Sequence, residues 1–547
     1  MNENFATVLE TVAAAAGDGA AVVQGPLTRS FTELELRSAR LAGHLAGRGV
    51  GRGARVGVGL YNGPEYIETV FAALKAGAIP INVNYRYREA ELVELLTDAG
   101  AEALVFDAAL DDRVAAVAPR LPELRTLLRV TPPAVRPEGD GPPAAEPYEA
   151  VIEAADPLAE TVREPGHWIL YTGGTTGRPK GVRATHTWLY NVALSNGYRL
   201  LDVPGPESLE ELENRTRELK EKGRSLVTVP APPLTHGTGM YSTLGTLVTG
   251  GTAVFLESRS FDAAELARVA ADNRAKVVTI VGDVFARPLA DVLDEAADRG
   301  EPYDLSALEW ITSVGVLWSA DVKERLLRHG DFVCRDAIAA SEGGPFAISL
   351  TDRRGRAVTS RFELFPGARV VTADGRDVEP GSGEVGMLAA PADEEIAYLG
   401  DEAKTERTFR YIDGRRYVVP GDLATLEADG SVVFRGRDSR VINTGGEKVF
   451  AEEVEQVLQE HDKVDDAYVI GVPDELWGNR IAAVVATSSP EPPTAEELGE
   501  FVGSRLARYK IPRSVVVVPE LRRSPAGKAD LRWAREMIEA NTAEGGS

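Results

Sequence analysis

Tyr171-Thr172-Gly173-Gly174-Thr175-Thr176-Gly177-Arg178-Pro179-Lys180-Gly181 decides how the rest of the chain is read. It follows Trp168-Ile169-Leu170, an apolar run with strand character, and precedes Thr187–Val192, which reads as the start of a helix. Glycines reach backbone angles that side chains forbid, so successive N–H groups can turn inward around an anion. The hydroxyls of Thr172, Thr175 and Thr176 and the ammonium of Lys180 add donors for phosphate oxygens. With Gly173, Gly174 and Gly177 they read as a grip on a triphosphate. The GxxxxGK[ST] phosphate loop is excluded, because Lys180 follows Pro179 and precedes Gly181. A plain Gly/Thr surface turn is the alternative, and so dense a set of donors argues against it.

The chain has 547 residues, enough for roughly three to four units of about 150 residues. Hydrophobic residues make up 44%, ample for large cores. A net charge of −24 argues against sequence-independent nucleic-acid binding, which needs a basic face. The single cysteine, Cys334, excludes an intramolecular disulfide and any cysteine-built metal site. No apolar run approaches the roughly 20 residues that span a bilayer, so no membrane partner is expected. Met1–Phe5 shows no basic region leading into an apolar stretch, and a cytoplasmic location is expected.

Outward from the opening stretch, strand-like runs at Ala20–Gln24, Ala54–Leu60 and Ala103–Phe106 alternate with helical ones at Asn4–Ala15, Thr32–Gly49, Pro64–Ala76 and Arg88–Ala99. Such alternation predicts parallel α/β architecture. Thr131–Pro147, rich in Pro, Gly and Ala, reads as a surface loop, and the charged Glu207–Arg224 as an exposed helix or insertion. A second α/β run has strands at Ser225–Pro230, Thr252–Leu256, Val277–Val281 and Trp310–Val314. Beyond about Ser360 come short strands with Gly and Asp turns, at Arg369–Thr372, Gly383–Ala389, Tyr417–Val419 and Ser431–Phe434. These suit a small antiparallel sheet or barrel. The last hundred residues return to mixed α+β, and no internal repeat is present.

In this order the pieces resemble the adenylate-forming ligases: acyl- and aryl-CoA synthetases, adenylation domains and firefly-type luciferases. The nearest likeness is to actinobacterial fatty-acyl-CoA synthetases. It rests on Asn82-Val83-Asn84-Tyr85-Arg86-Tyr87-Arg88, Val281-Gly282-Asp283, Ile442-Asn443-Thr444-Gly445-Gly446-Glu447-Lys448-Val449 and Arg523-Ser524-Pro525-Ala526-Gly527-Lys528-Ala529-Asp530. The resemblance implies an α/β fold: a large N-terminal domain, 1–437, of two α/β subdomains plus a small β-barrel-like one. A small mobile α+β domain, 438–547, follows it. The implied reaction has two steps. A carboxylate attacks the α-phosphorus of ATP and releases pyrophosphate; a thiol, usually that of coenzyme A, then displaces AMP. Positioning and charge neutralisation should carry both.

The resemblance also assigns residues. Glu342, in Ala340-Ser341-Glu342-Gly343-Gly344, matches the Mg2+-binding glutamate, and Ser341 keeps a hydroxyl where threonine is usual. Asp422, in Pro420-Gly421-Asp422, matches the aspartate that holds both ribose hydroxyls, although Pro420 replaces the usual threonine. Arg437 falls near the ribose and the domain boundary, and Gly315, Asp336 and Ile338 join the nucleotide-binding set. Lys528 matches the lysine that reaches the carboxylate and the bridging oxygens. In the second step the C-terminal domain swings about Asp438-Ser439, Lys528 leaves, and the loop at Gly445 and Gly446 arrives. His236, in Pro233-Leu234-Thr235-His236-Gly237-Thr238-Gly239, matches a residue at the wall of the acyl site, often a gate.

Departures from the pattern bear on the substrate. Ile338 stands where an aromatic ring packs on adenine, and Ala339 replaces the glycine that opens the substrate pocket. With Val316 and Trp318 they imply a pocket narrowed or reshaped beside the α-phosphate. The implied partners are ATP, Mg2+, a small acid and coenzyme A, or else an amine acceptor. A homodimer is open to the family, while no nucleic acid is expected. The main reading is an acid–CoA ligase acting on a fatty, aryl or steroid-derived acid. Another is adenylation of an oxyacid such as nitrite, with transfer to an aryl amine as in ATP-dependent diazotases. A third is a non-catalytic nucleotide-binding protein, opposed by the joint presence of Lys180, Glu342, Asp422, Arg437 and Lys528.

Overall fold

The computed structural model describes residues 2–131, 141–159, 163–173, 179–316, 318–355, 359, 361–437, 440–444, 447–474, 478–524 and 527–544. In one N-terminal sheet, strands His167–Gly173, Ile79–Asn82, Arg55–Gly59, Ala101–Asp107 and Thr126–Val130 lie side by side and parallel. Successive residues of Ala101–Asp107 go to opposite faces. Ala103 and Val105 pack with the helices Phe31–Gly47 and Pro64–Lys75, while Leu104 and Phe106 pack with the helix Glu89–Ala99. Covered on both faces, such strands read as near-continuous apolar runs. Helix starts obey local chemistry: Ser30 and Glu33 form a reciprocal capping box ahead of Phe31–Gly47.

A second sheet aligns Ala20–Gln24, Thr252–Phe255, Val227–Pro230, Val277–Ile280, Trp310–Val314 and Val333–Ala340 in parallel. Gly343–Thr351 then turns back antiparallel, and Arg361–Leu364, Val432–Arg437, Asp422–Leu426 and Gly386–Pro391 continue the same sheet antiparallel. The small antiparallel unit expected after Ser360 thus grows from the edge of the α/β sheet. The C-terminal region carries its own three-stranded sheet, Asp466–Asp474, Gly478–Ala486 and Ser514–Val518, flanked by helices Ala451–Gln459, Ala495–Gly503 and Leu531–Glu544. Among the described residues no helix is long and apolar enough to cross a membrane. Cys334 is fully buried, and burial pushes its thiol up to about 12.

Three local expectations change. Pro179–Thr185 is a strand, paired antiparallel with His167–Gly173 from His167↔Thr185 to Gly173↔Pro179, and the helix starts only at His186. The lysine end of the glycine-threonine stretch, Pro179–Gly181, is therefore strand rather than a lead into a helix, and residues 174–178 lie outside the described residues. Pro179, Gly181 and the charges of Lys180 and Arg183 obscure the strand's alternation. Glu207–Arg224 contains a helix, Leu209–Glu221, whose Leu212 and Leu219 are buried in one core with the N-terminal helix Phe5–Ala16, so one face is not exposed. Thr131–Pro147 ends in a short strand, Ala145–Pro147, and its residues 132–140 lie outside the described residues.

Beneath the C-terminal ends of the parallel strands, Lys323 and Asp336 form an ion pair of 2.9 Å with side chains 1% and 7% exposed. Burial raises the Asp336 carboxyl and Lys323 opposes that shift. Removing one partner of such a pair leaves an uncompensated buried charge, which costs about 3–5 kcal/mol. Lys323→Met should lower unfolding free energy in urea by that amount, and an unchanged midpoint would show that Asp336 finds another partner.

Candidate active site

Two asparagines position the chain around the ends of the strands. Asn82 Nδ2 donates to the carbonyls of Tyr171 (2.8 Å) and Thr235 (2.6 Å), while its Oδ1 accepts from Tyr171 N (2.7 Å). Asn62 Oδ1 accepts from Leu234 N (2.7 Å) and its Nδ2 donates to Pro232 O (3.0 Å). Together they fix the Pro232–His236 turn against the strand that leads into the glycine-threonine hairpin. The helix Gly237–Leu247 starts directly after His236.

His236 is pushed down to about 4, first by burial and then by the positive charges of Lys528 and Arg86, so it is neutral at physiological pH. Its Nε2 has no hydrogen-bond partner, nor does the buried Thr235 Oγ1, counted over the described residues. Tyr241 stacks edge-on against Trp188, with ring centroids 5.7 Å apart. Orphaned polar atoms are rare in protein interiors and mark places where another group is accommodated.

Beside this turn lies a carboxylate cluster. Glu342 accepts a hydrogen bond from the Tyr398 hydroxyl through Oε1. Asp422 is 2% exposed, and its Oδ1 accepts from Arg437 Nε at 2.9 Å. Burial raises the Asp422 carboxyl, Arg437 counters it and Glu342 adds to it; Arg437 is in turn raised chiefly by Asp422. Asp422 Oδ2 is buried without a partner, an acceptor ready for a hydroxyl donor.

The C-terminal region closes the site. Ser524 N donates to Lys528 O and Gly527 N to Ser524 O, each at 2.8 Å, and Lys528 N donates to Ser524 Oγ at 3.1 Å. Gly527 has φ +71°, and a Cβ there would lie 3.3 Å from Val281 and 3.6 Å from Val284. Glycine thus lets the turn rest on the Val281-Gly282-Asp283 segment. Lys528 meets cavity solvent yet is enclosed by protein mass: burial lowers its pKa, Arg437 lowers it further and Glu342 opposes both. A cavity of about 1360 Å³ lies between the two regions, and its lining includes Gly315, Val316, Asp336, Ile338, Ala339, Asp422, Arg437 and Lys528.

Sequence motifs therefore converge on one place, with differences in detail. Asp336 lines the cavity, but its carboxylate is held by Lys323. Val316, Trp318 and Ala339 lie together in the lining of the large cavity, and the Trp318 side chain is packed into the core there. Ser341 sits in the turn beside Glu342. Lys180 pairs with Asp401 at 2.7 Å, and Thr172 and Gly173 lie on the strand facing it. Gly174, Thr175, Thr176, Gly177, Gly445 and Gly446 fall outside the described residues. Sequence reading missed Tyr398, Asp401 and Tyr241, and Trp168 stood in a quoted apolar run without a role. Asn82 stood inside a quoted motif without a role.

An α/β enzyme with a nucleotide-sized cavity closed by a C-terminal lysine is the class that fold and site define. Residues 9–390 match the AMP-binding enzyme family and residues 453–528 the AMP-binding enzyme C-terminal domain. The chain belongs to the AMP-binding enzyme family and is an adenylate-forming ligase. It is 38% identical to a medium/long-chain-fatty-acid–CoA/3-oxocholest-4-en-26-oate–CoA ligase of Mycobacterium marinum, over 99% of this chain and 98% of that one. It is 37% identical to a 3-oxocholest-4-en-26-oate–CoA ligase of Rhodococcus rhodochrous, over 94% and 92%. Among solved structures, the anthranilate CoA ligase AuaEII in complex with anthranoyl-AMP superposes with a TM-score of 0.82 at 20% identity, covering 99% of this chain and 98% of that chain. At that identity the likeness speaks for the fold alone.

A neutral buried His236 has a stability consequence. Its folded pKa, about 4, lies below the ordinary value of 6.5. Between those values the unfolded chain binds more protons, so the contribution is complete above pH 6.5 and is lost as pH falls toward 4. Urea midpoints of the wild type should decline over this window more steeply than those of His236→Asn. Parallel profiles would place His236 in free contact with water.

Proposed function

We propose that the chain is an ATP-dependent acid–CoA ligase whose acid is a medium- to long-chain fatty acid or a steroid-derived carboxylic acid. The observation that carries the reading is the meeting of Lys528, Arg437 and Asp422 around one cavity within the field of Glu342, in a chain whose relatives bear CoA-ligase names. In the first step a carboxylate oxygen bonds to the α-phosphorus and the bond to pyrophosphate breaks. In the second the coenzyme A sulfur bonds to the acyl carbon and AMP leaves.

In this reading the domains are 1–437 and 438–547. The boundary is supported by the end of the strand Val432–Arg437 and the start of separate C-terminal sheets. Asp422, with its free Oδ2, accepts from the ribose, and Arg437 holds Asp422 in place. Ile338 and Gly315 border the base, and the hairpin from Thr172 to Lys180 grips the phosphates. His236, Val316 and Ala339 bound the acid. The loop at Gly445 and Gly446 enters with the thiol.

Glu342 fits magnesium. No group of three His, Cys, Asp or Glu forms a metal site among the described residues, so one carboxylate, phosphate oxygens and water would hold the ion. Magnesium favours that arrangement. When bound, it would neutralise phosphate charge. Coenzyme A would find Tyr61, Tyr85, Arg86 and Arg259, which belong to the N-terminal domain, in the lining of a second cavity of about 380 Å³. Tyr61 and Tyr85 pack with centroids 4.2 Å apart, and the Arg259 guanidinium sits 4.5 Å over Tyr61. Aromatic faces and guanidinium groups suit an adenine and its phosphates.

Pyrophosphate release should depend on a carboxylic acid across a panel of fatty, aryl and steroid acids, with thioester formed when coenzyme A is added. Release driven by nitrite, or product formed only with an aryl amine, would overturn the assignment. Lys528→Ala should slow adenylation about 100- to 1,000-fold, the usual effect of losing one charge-stabilising donor. It should spare thioester formation from a supplied acyl-adenylate, and equal loss in both steps would contradict the domain swing.

A further inference from the structure

The geometry points to Lys404 as an additional cation of the adenylation step, one that holds the β- and γ-phosphates of ATP and then the departing pyrophosphate. The inference rests on the adenylate-forming reading of the site and adds a residue that the motifs do not contain.

Ala397-Tyr398 pairs antiparallel with Arg183 and Val182, and Leu399 N donates to Gly181 O at 2.8 Å. This segment is therefore fixed along the strand that carries Lys180. Asp401 follows, with Oδ1 accepting from Lys404 N at 3.0 Å and Oδ2 accepting from Lys180 Nζ at 2.7 Å. Lys404 projects its ammonium to 3.7 Å from the centroid of the Tyr398 ring. The hydroxyl at the other end of that ring is bonded to Glu342. One phenol thus separates the Lys404 ammonium from the carboxylate that fits magnesium.

Among the described residues Lys404 has no carboxylate partner; its close contact is the ring face. Burial lowers its pKa, with Glu342 and Asp401 favouring the charged form and Lys180 and Arg407 opposing it. The Lys180 and Lys404 ammonium groups thus feel each other, with the Asp401 carboxylate paired to Lys180 alone. A polyanion that bridges both would relieve this repulsion, and the β- and γ-phosphates are such a polyanion. As the carboxylate oxygen bonds to the α-phosphorus, the electron pair of the breaking P–O bond leaves with pyrophosphate. The Lys404 charge meets it there, and no proton moves. AMP, which lacks those phosphates, would not need Lys404.

The test uses the full chain with Lys404→Met, which keeps the stem, and Lys404→Arg, which keeps the charge. Binding of ATP, inorganic pyrophosphate and AMP is measured by calorimetry, without acid or coenzyme A. Lys404→Met should weaken ATP and pyrophosphate about tenfold or more, the usual scale for losing a charge-assisted contact, and Lys404→Arg should recover most of it. AMP affinity, and thioester formation from a supplied acyl-adenylate, should stay within about twofold, because neither uses the terminal phosphates. Unchanged pyrophosphate affinity in Lys404→Met overturns the proposal. So does equal loss of AMP and pyrophosphate, which would mark a structural role for the Tyr398 contact. A wild type that binds ATP but activates no acid would remove the acid–CoA reading and leave the Lys404 result standing.

Discussion

Glu342 is the point on which the site's electrostatics turn. Its Oε1 is held by the Tyr398 hydroxyl, and its charge is felt by Lys528, Lys404, Arg437 and Asp422. Those groups come from the C-terminal region, from the segment along the hairpin edge and from the antiparallel part of the long sheet. Without that carboxylate, Arg437 and Lys528 would repel each other across a partly desolvated cavity, where charge interactions are stronger than in water. One acidic side chain in a two-residue turn between Val333–Ala340 and Gly343–Thr351 thus offsets that repulsion in the closed arrangement.

That turn is placed by the sheet, and the opposite wall of the site is placed by amides. Strands buried on both faces end at one level, where ligands meet open α/β sheets. Asn82 and Asn62 then transfer that level to the Pro232–His236 turn through backbone bonds of 2.6–3.0 Å. An amide suits this task because it both donates and accepts, so one side chain can satisfy two strands at once. The result brings His236 near the Lys528 charge although 292 positions separate them in the chain.

Much of this was legible in the sequence, for identifiable reasons. Parallel strands such as Val277–Ile280 are apolar but for Thr279, and helices such as Pro64–Lys75 begin with proline and carry a broad apolar face, so element type followed from composition and period. Asp422 and Lys528, each read from a short motif, line the large cavity together with Gly315, Ile338 and Arg437. What escaped lacks such a motif. Pro179–Thr185 alternates too weakly to read as a strand. The buried side of Leu209–Glu221 rests on leucines seven residues apart among charges. Lys323 answers Asp336 across 13 residues, and Lys180 answers Asp401 across 221; neither pairing has a local signature.

The chain's net charge of −24 looks at odds with a site for polyanions. The conflict is resolved by pairing rather than by an excess of cations. Carboxylates also line the large cavity, but the inner ones are engaged: Asp422 by Arg437, Asp336 by Lys323, Asp466 by Arg523 and Glu455 by Arg440. Surface acids further away are screened beyond about 8 Å at physiological ionic strength. Lys528 and Lys404 have no carboxylate partner among the described residues, and both lie within the influence of Glu342. An incoming anion competes with no salt bridge at either lysine. At Lys180 it must displace Asp401, whose carboxylate is held low first by that same lysine. The site thus attracts phosphate through the cations it leaves uncommitted, whatever the sign of the charge on the exterior.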